Sequence, residues 1–263
     1  MHPLSDAPVL MHKDARGVVH LTLNRPDAFN ALSAQLMDAV QTCLDSIAQD
    51  ETARVVVIEA SGRAFCAGHD LREMRASPSM AFYQTLFAQC SQMMLSLQRL
   101  PVPVLAKVNG VATAAGCQLV AMCDLAVASD ASRFAVSGIN LGLFCSTPSV
   151  ALSRNLSRKA AFEMLVTGDF ISAAQAEQKG LINHCVPAEQ LDPTAEQLVN
   201  SILTKPRQAI ALGKQLFYRQ LEAPIAQAYE DAGQTMACNM MDDCALEGVQ
   251  AFIEKRPPSW RPL

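Results

Sequence analysis

Apolar and polar positions along the chain repeat with two periods. Residues 18–24, VVHLTLN, alternate as a half-buried strand does, and Arg25, Pro26 and Asp27 end that strand with turn chemistry. From Ser33, a capping residue, apolar positions Leu36, Met37, Val40, Cys43, Leu44 and Ile47 recur every three or four residues. That spacing predicts a helix to about Asp50 with one face on a sheet. A second strand is predicted over 53–59; its unbroken run RVVVIE implies burial on both faces. Residues 61–70, SGRAFCAGHD, read as a loop. A short helix over 71–75, a linker at Ser77, Pro78 and Ser79, and a long amphipathic helix over 80–100 follow.

A strand at 104–108 leads into VNGVATAAGCQLVAMCD, residues 108–124, with further short strands expected at 124–128 and 133–136. Helical pattern resumes over 149–168. Ser172 is placed to cap a short helix stopped by Gly180, and residues 181–186 form a last strand before Pro187. From about Asp192 the pattern is nearly all helical. The expected fold class is therefore α/β: a core over 1–191 of repeated strand, turn and helix, and a C-terminal helical region over 192–263 that packs on the core or on a partner subunit.

Half of the 263 residues are hydrophobic and only 5% are aromatic, so the core is expected to be large and mostly aliphatic. A formal charge of -4 and the absence of any long Lys/Arg block argue against nucleic acid or an anionic membrane surface as partner. The nine cysteines are odd in number and form no CxxC pair; Cys43, Cys90 and Cys123 sit among apolar residues. A reducing compartment, the cytoplasm, is the expectation. No secretory leader or spanning segment is expected either. No GxxxxGK[ST], strand-borne GxGxxG, GxSxG, HExxH or zinc-spaced Cys/His cluster occurs, so metal and nucleotide chemistry find no support. Of His2, His12, His20, His69 and His184, only His69 stands in a loop with other chemistry around it.

That chemistry lies in two small-residue turns. In 108–124, Asn109-Gly110 makes a turn, and Ala112 to Gly116 carry side chains too small to block approach to the backbone. N–H groups in the first turn of a helix have no intrahelical partner and face the positive end of the macrodipole, so they suit an oxygen that gains negative charge. The same run also fits tight packing of a helix on a sheet. Asp70 and Asp124 are expected to be capping and turn residues.

Taken together, FCAGHDLREM at 65–74 and VNGVATAAGCQLVAMCDLAVAS at 108–129 resemble the crotonase, or enoyl-CoA hydratase/isomerase, superfamily. LNRPDAFNAL at 23–32, FEMLVTGDFISAAQAEQKGLINHCV at 162–186 and EGVQAFIEKRPPSW at 247–260 extend the likeness over nearly the whole chain. The resemblance implies a crotonase-like spiral of ββα repeats with a C-terminal helical trimerisation region, assembled as a trimer or a dimer of trimers. It implies an acyl-CoA thioester as ligand, of fatty-acid or related CoA-ester metabolism, with coenzyme A part of the substrate and no separate cofactor or metal. The thioester carbonyl is placed between the backbone N–H groups of His69 and Ala115. Ala28, Phe29, Ala67, His69, Asp70 and Leu71 would line the path of coenzyme A, with Phe252 and Lys255 of the last helix closing it. Where family hydratases carry two glutamates, this chain has Gln118 and Gly138. Neither carries a proton, so conventional hydration is expected to be weak or absent. Cys145, in GLFCSTP, stands near the family's variable catalytic groups, as a nucleophile or as a buried wall of the acyl pocket. Three readings stay open: a hydratase/isomerase-type enzyme, another CoA-thioester reaction such as isomerisation, decarboxylation or thioester cleavage, and a non-catalytic acyl-CoA-binding or assembly subunit.

Overall fold

The computed structural model describes residues 7–76 and 78–260, so His2 and the linker residue Ser77 lie outside the described residues. The chain opens with a hairpin, β1 (Val9–Lys13) against β2 (Val18–Leu23), and then enters helix α1 (Ala34–Ala48). Strands β3 (Val55–Ala60) and β4 (Ala64–Cys66) precede helices α2 (Leu71–Ala76) and α3 (Met80–Arg99). Next come β5 (Val104–Val108), β6 (Val111–Thr113) and α4 (Ala115–Met122), then β7 (Leu125–Ser129), β8 (Arg133–Ala135), α5 (Ser146–Asn155) and α6 (Arg158–Thr167). After β9 (Ile171–Ser172), α7 (Ala173–Lys179) and β10 (His184–Val186), the chain ends in α8 (Leu191–Leu203), α9 (Arg207–Leu221), α10 (Ile225–Met240) and α11 (Asp243–Ile253).

The strands form two sheets. One has the order β1-β2-β3-β5-β7-β10 and is parallel except for the β1–β2 pair; the other has the order β4-β6-β8-β9. Each of β3, β5 and β7 hands the chain directly to β4, β6 or β8 in the second sheet before a helix returns it. Three successive turns of this kind make the spiral of ββα repeats. Of the short strands of the second sheet only β8 matches an expected one, at 133–136; β4, β6 and β9 escaped the sequence pattern, because two or three residues hold too little alternation to read.

Burial on both faces of β3 follows the strand's period of two. Val56 and Ile58 enter the main core, while Val55 and Val57 join Val18, Leu105 and Val127 on the other face. Leu191, Ala195 and Val199 of α8 cover that second face, so the first helix past residue 191 is part of the core sandwich. Helices α9 to α11 extend beyond it. Local signals set the helix ends as expected: Ser33 Oγ accepts from Leu36 N–H at 3.2 Å, and Ser172 and Gln175 form a reciprocal capping box. Gly180 closes α7 in the left-handed region.

Candidate active site

The first loop is zipped to the β2–α1 connection. Phe29 and Asn30 take positive φ of 51° and 53°, and the buried Asn30 amide accepts from Arg25 N–H while donating to Ser61 O at 2.9 Å and Ala64 O at 2.8 Å. Ala67 N–H donates to Phe29 O, Leu32 N–H to Gly68 O at 2.7 Å, and Asp70 N–H to Leu32 O at 3.2 Å. In this parallel bridge the neighbours of His69 make both bonds to Leu32. The His69 N–H is left pointing the other way.

The second loop brings a matching donor. Ala114 sits at φ 51°, ψ −122°, outside the regions an alanine favours, held by its own N–H on Ala135 O at 2.9 Å and its O under Gln118 N–H at 3.1 Å. This kink ends β6 and starts α4 at Ala115, whose N–H is a first-turn donor with no intrahelical acceptor. The two loops touch. A Cβ on Gly68 would fall 2.8 Å from Ala114 Cβ, and one on Gly116 would fall 2.1 Å from Cys66 O. Small residues therefore serve both expected purposes, close helix-on-strand packing and an open approach to N–H groups.

Between the loops lies a cavity of about 190 Å³. Leu71, Met74, Phe87, Leu141, Leu143 and Phe144 give it an apolar wall, and among the described residues no Lys, Arg, Asp or Glu lines it. Ala67, His69, Leu71, Ala115, Gly138 and Cys145 all line it, half of the expected site residues; Ala28, Phe29, Asp70, Gln118, Phe252 and Lys255 do not. Ser137, whose hydroxyl lies 3.0 Å from Thr113 Oγ1, joins them without any earlier sequence signal. So do Met74 and Phe87, which read only as apolar positions of helices.

Gln118 stands one turn beyond Ala115 and is buried, with Oε1 unpaired; on a helix a side chain leans toward the N-terminus, here toward Ala114 and Ala115. The space at Gly138 is taken. A Cβ there would fall 2.6 Å from Leu143 O and 2.7 Å from Cys145 Sγ. Burial pushes the Cys145 thiol up, offset only in part by the Gly138 N–H, so a thiol and not a thiolate faces the cavity. Cys145 is the buried wall residue of the two readings.

The His69 ring packs edge-on against Phe87, with centroids 5.4 Å apart, and both ring nitrogens are buried without a hydrogen-bond partner. Burial pushes its pKa down, opposed in part by the nearby Leu32 carbonyl, which lies outside hydrogen-bond geometry of either nitrogen, so the ring is neutral at pH 7.

Asp70 caps α2, as expected: its Oδ1 accepts from Arg72 and Glu73 N–H, and its Oδ2 from Arg25 at 3.2 Å. Ala28 and Phe29 lie in the preceding 3-10 turn, where the Arg63 guanidinium covers the Phe29 ring at 4.6 Å. Phe252 and Lys255 do not reach the cavity of their own chain. Phe252 is exposed beside a separate cleft with Pro206 and Trp260, and Lys255 ends α11 at φ 56°. Asp124 does more than cap a turn. Its carboxylate accepts from Val104 N–H, Lys214 Nζ and the Tyr218 hydroxyl, each at 2.6 Å, and so fastens α9 to the core. Among the described residues no group of three His, Cys, Asp or Glu is placed to hold a metal, and no helix is long and apolar enough to cross a membrane.

Comparison with known proteins gives the family and the fold. The family model described as enoyl-CoA hydratase/isomerase matches residues 13–262. The rat protein named enoyl-CoA hydratase domain-containing protein 3, mitochondrial, is 43% identical over 98% of this chain and 86% of its own length. Its human counterpart is 42% identical over 93% of this chain and 80% of that protein. Among solved structures, an enoyl-CoA hydratase from Mycobacterium smegmatis aligns with a TM-score of 0.95 and 63% identity over 96% of this chain and 98% of that one. Human enoyl coenzyme A hydratase domain-containing protein 3 aligns with a TM-score of 0.93 and 41% identity, over 96% and 100%. The mitochondrial names of the rat, mouse, frog and human relatives correct the cytoplasmic expectation. That expectation rested on unpaired cysteines, which report a reducing milieu and not a particular compartment.

Proposed function

Because this chain belongs to the enoyl-CoA hydratase/isomerase, or crotonase, family, we propose that it binds an acyl-CoA thioester with the carbonyl oxygen between the N–H groups of His69 and Ala115. The observation that carries this reading is the pair of donors without a protein acceptor, one from each loop, on the wall of an uncharged apolar cavity. Coenzyme A enters as part of the substrate, and no separate cofactor or metal is needed. When the α-carbon loses a proton, or a nucleophile adds to the β-carbon of an enoyl thioester, charge moves to the thioester oxygen, and each fixed donor stabilises it by about 3 to 4 kcal/mol in a dry site.

Conventional hydration is weak in this reading. It needs a base to activate water and an acid to protonate carbon, and Gln118 carries no usable proton while the room at Gly138 is filled by Cys145 Sγ and Leu143 O. That filled space favours, as the second reading, a protein that holds acyl-CoA for a different enolate reaction or for binding alone. Decarboxylation of a carboxyacyl group and thioester cleavage by Cys145 are disfavoured, the first by the uncharged wall and the second by the protonated thiol.

The assembly we propose is a homotrimer or a dimer of trimers built through α10 and α11. Tyr229, Met236, Met241 and Phe252 are all at least 70% exposed there, a density of large apolar groups suited to an interface. In such an assembly Phe252 and Lys255 serve a neighbouring copy.

The test is a comparison of butyryl-CoA with its thioether analogue, which lacks the carbonyl. Calorimetry is expected to show a loss of about 10-fold or more in affinity for the thioether, the worth of two hydrogen bonds. Equal affinities would remove the oxyanion site from the account.

A further inference from the structure

A second hollow, a cleft of about 620 Å³, lies between α5 and α6, where Ser149, Ser153, Ala161, Phe162 and Leu165 line it. Among the described residues Phe144 alone lines both this cleft and the cavity between the two loops. The two hollows follow each other along α5. Ser146, Thr147 and Pro148 at its start border the cavity, and Ser149 and Ser153, a turn apart on one face, border the cleft. Ala161 and Leu165 give the cleft a buried apolar floor, Phe162 is an exposed apolar wall, and its charged members Arg158, Lys159 and Glu163 are exposed.

The backbone that carries Phe144 is pinned on both sides. Leu143 N–H donates to Gly138 O at 3.0 Å, Ser146 N–H to Phe144 O at 2.8 Å and Ser149 N–H to Cys145 O at 2.9 Å, so the segment runs without slack from the 3-10 turn over 137–141 into α5. Only the side chain is free to yield. The phenyl is 40% exposed and presents carbon to both hollows, so it closes the passage between them without being a keystone of the core.

We infer that Phe144 sets the length of acyl chain this site accepts, as a partition that ends the acyl cavity and shuts off the cleft between α5 and α6. This rests on the acyl-CoA reading above. With the carbonyl at the His69 and Ala115 N–H groups and coenzyme A on the side of Ala67 and Leu71, the tail runs along the 137–148 wall, where Phe144 stands between it and the cleft. The space before the ring is about 190 Å³, which suits a short chain. A longer tail has to displace the phenyl or leave its last methylenes in water, and both weaken binding. Removing the phenyl joins the two hollows and offers those methylenes the floor of Ala161 and Leu165. Phe144 meets the tail and not the reacting atoms, so it selects the ligand and takes no part in the chemistry.

Calorimetry with butyryl-CoA and decanoyl-CoA reads the partition as a ratio of affinities. The parent protein is expected to bind decanoyl-CoA about 10-fold or more weakly than butyryl-CoA. Phe144→Ala should raise the affinity for decanoyl-CoA about 10-fold or more over the parent's, the worth of burying two further methylenes, and Phe144→Leu should fall between. Adding Phe162→Asp to Phe144→Ala puts a charge on the cleft wall and should cancel that gain while leaving butyryl-CoA binding as it is in Phe144→Ala, a response that a merely structural effect of the alanine would not give. Circular dichroism accompanies each variant, and the comparison of the two esters on the parent stands without any of them. Equal affinities of the parent for the two esters, folded Phe144 variants with the parent's ratio, or a gain that survives Phe162→Asp would overturn the proposal while leaving the acyl-CoA site standing. Failure of the parent to bind either ester would overturn the acyl-CoA reading and this proposal with it.

Discussion

Restoring the two glutamates separates a site that has merely lost its proton carriers from one that has closed over their place. Gln118→Glu changes an amide for a carboxylate of nearly the same shape and should fold. Gly138→Glu is different. The glycine is not in the left-handed region, so backbone conformation is no obstacle, but its first side-chain carbon would stand 2.6 Å from Leu143 O and 2.7 Å from Cys145 Sγ. A thiol can rotate; a backbone oxygen moves only if its loop does, and that loop is pinned by Leu143 N–H on Gly138 O at 3.0 Å. Overpacking of this kind costs about 3 kcal/mol, which lowers Tm by about 6 to 12 °C in a chain of this size. Adding Cys145→Ala should recover part of that loss by removing one of the two clashes. Two working proton carriers would be worth about 10²-fold or more in hydration of crotonyl-CoA. With the loop in the way, the Gln118→Glu, Gly138→Glu double variant should gain less than about 10-fold over the parent. Steady-state hydration and thermal unfolding of the parent, both singles, the double and the triple variant decide the matter. A double variant that gains 100-fold with an unchanged Tm would refute the claim that the space is filled.

Gly116→Ala should prevent soluble expression or lower Tm by more than 10 °C, since its Cβ would stand 2.1 Å from Cys66 O; circular dichroism on heating measures it. Lys214→Met breaks bonds to Leu97 O, Val102 O and Asp124 and leaves a half-buried carboxylate without its cation, a loss of about 3 kcal/mol. The Lys214→Met, Asp124→Asn pair should be less damaging than Lys214→Met alone when both are compared by denaturant unfolding. Burial alone would raise the Asp70 carboxyl, but Arg25 and the Glu73 and Arg72 N–H groups outweigh it and hold it below its ordinary value. A depressed carboxylate stabilises the fold above its unfolded pKa and stops doing so as pH falls through the folded one. Asp70→Asn should therefore cost about 1 kcal/mol at pH 7, with the gap to the parent closing below about pH 4 in a pH series of unfolding curves. Light scattering at micromolar concentration should report three or six copies of the 28.3 kDa chain, and a monomer would remove the proposed assembly.

The parts of the fold that were legible in the sequence are those governed by neighbours along the chain. Ser33, Ser172 and Gly180 mark helix ends because capping is local, and the RVVVIE run reads as a doubly buried strand because both faces need apolar residues. Strands β4, β6, β8 and β9 have two or three residues each and exist through pairing with distant segments, so only β8 was foreshadowed, as part of 133–136. The site divides in the same way. His69 and Ala115 could be placed by motif, since a backbone donor needs only the right loop. The filling of the Gly138 position by Cys145 depends on how residues 138–145 fold back, and nothing in the order of residues announces it. The stranding of Phe252 and Lys255 away from the cavity belongs to the arrangement of α10 and α11, which local pattern cannot give.

The central claim is that two backbone N–H groups polarise a thioester carbonyl, and isotope-edited infrared spectroscopy observes that carbonyl directly. Butyryl-CoA labelled with ¹³C at the carbonyl should show its C=O stretch at lower frequency when bound than when free, because both donors draw charge onto the oxygen. The shift should shrink in a folded Ala115→Pro variant, which lacks one of the two donors. A bound carbonyl that absorbs at the frequency of free thioester in the parent protein would contradict the account.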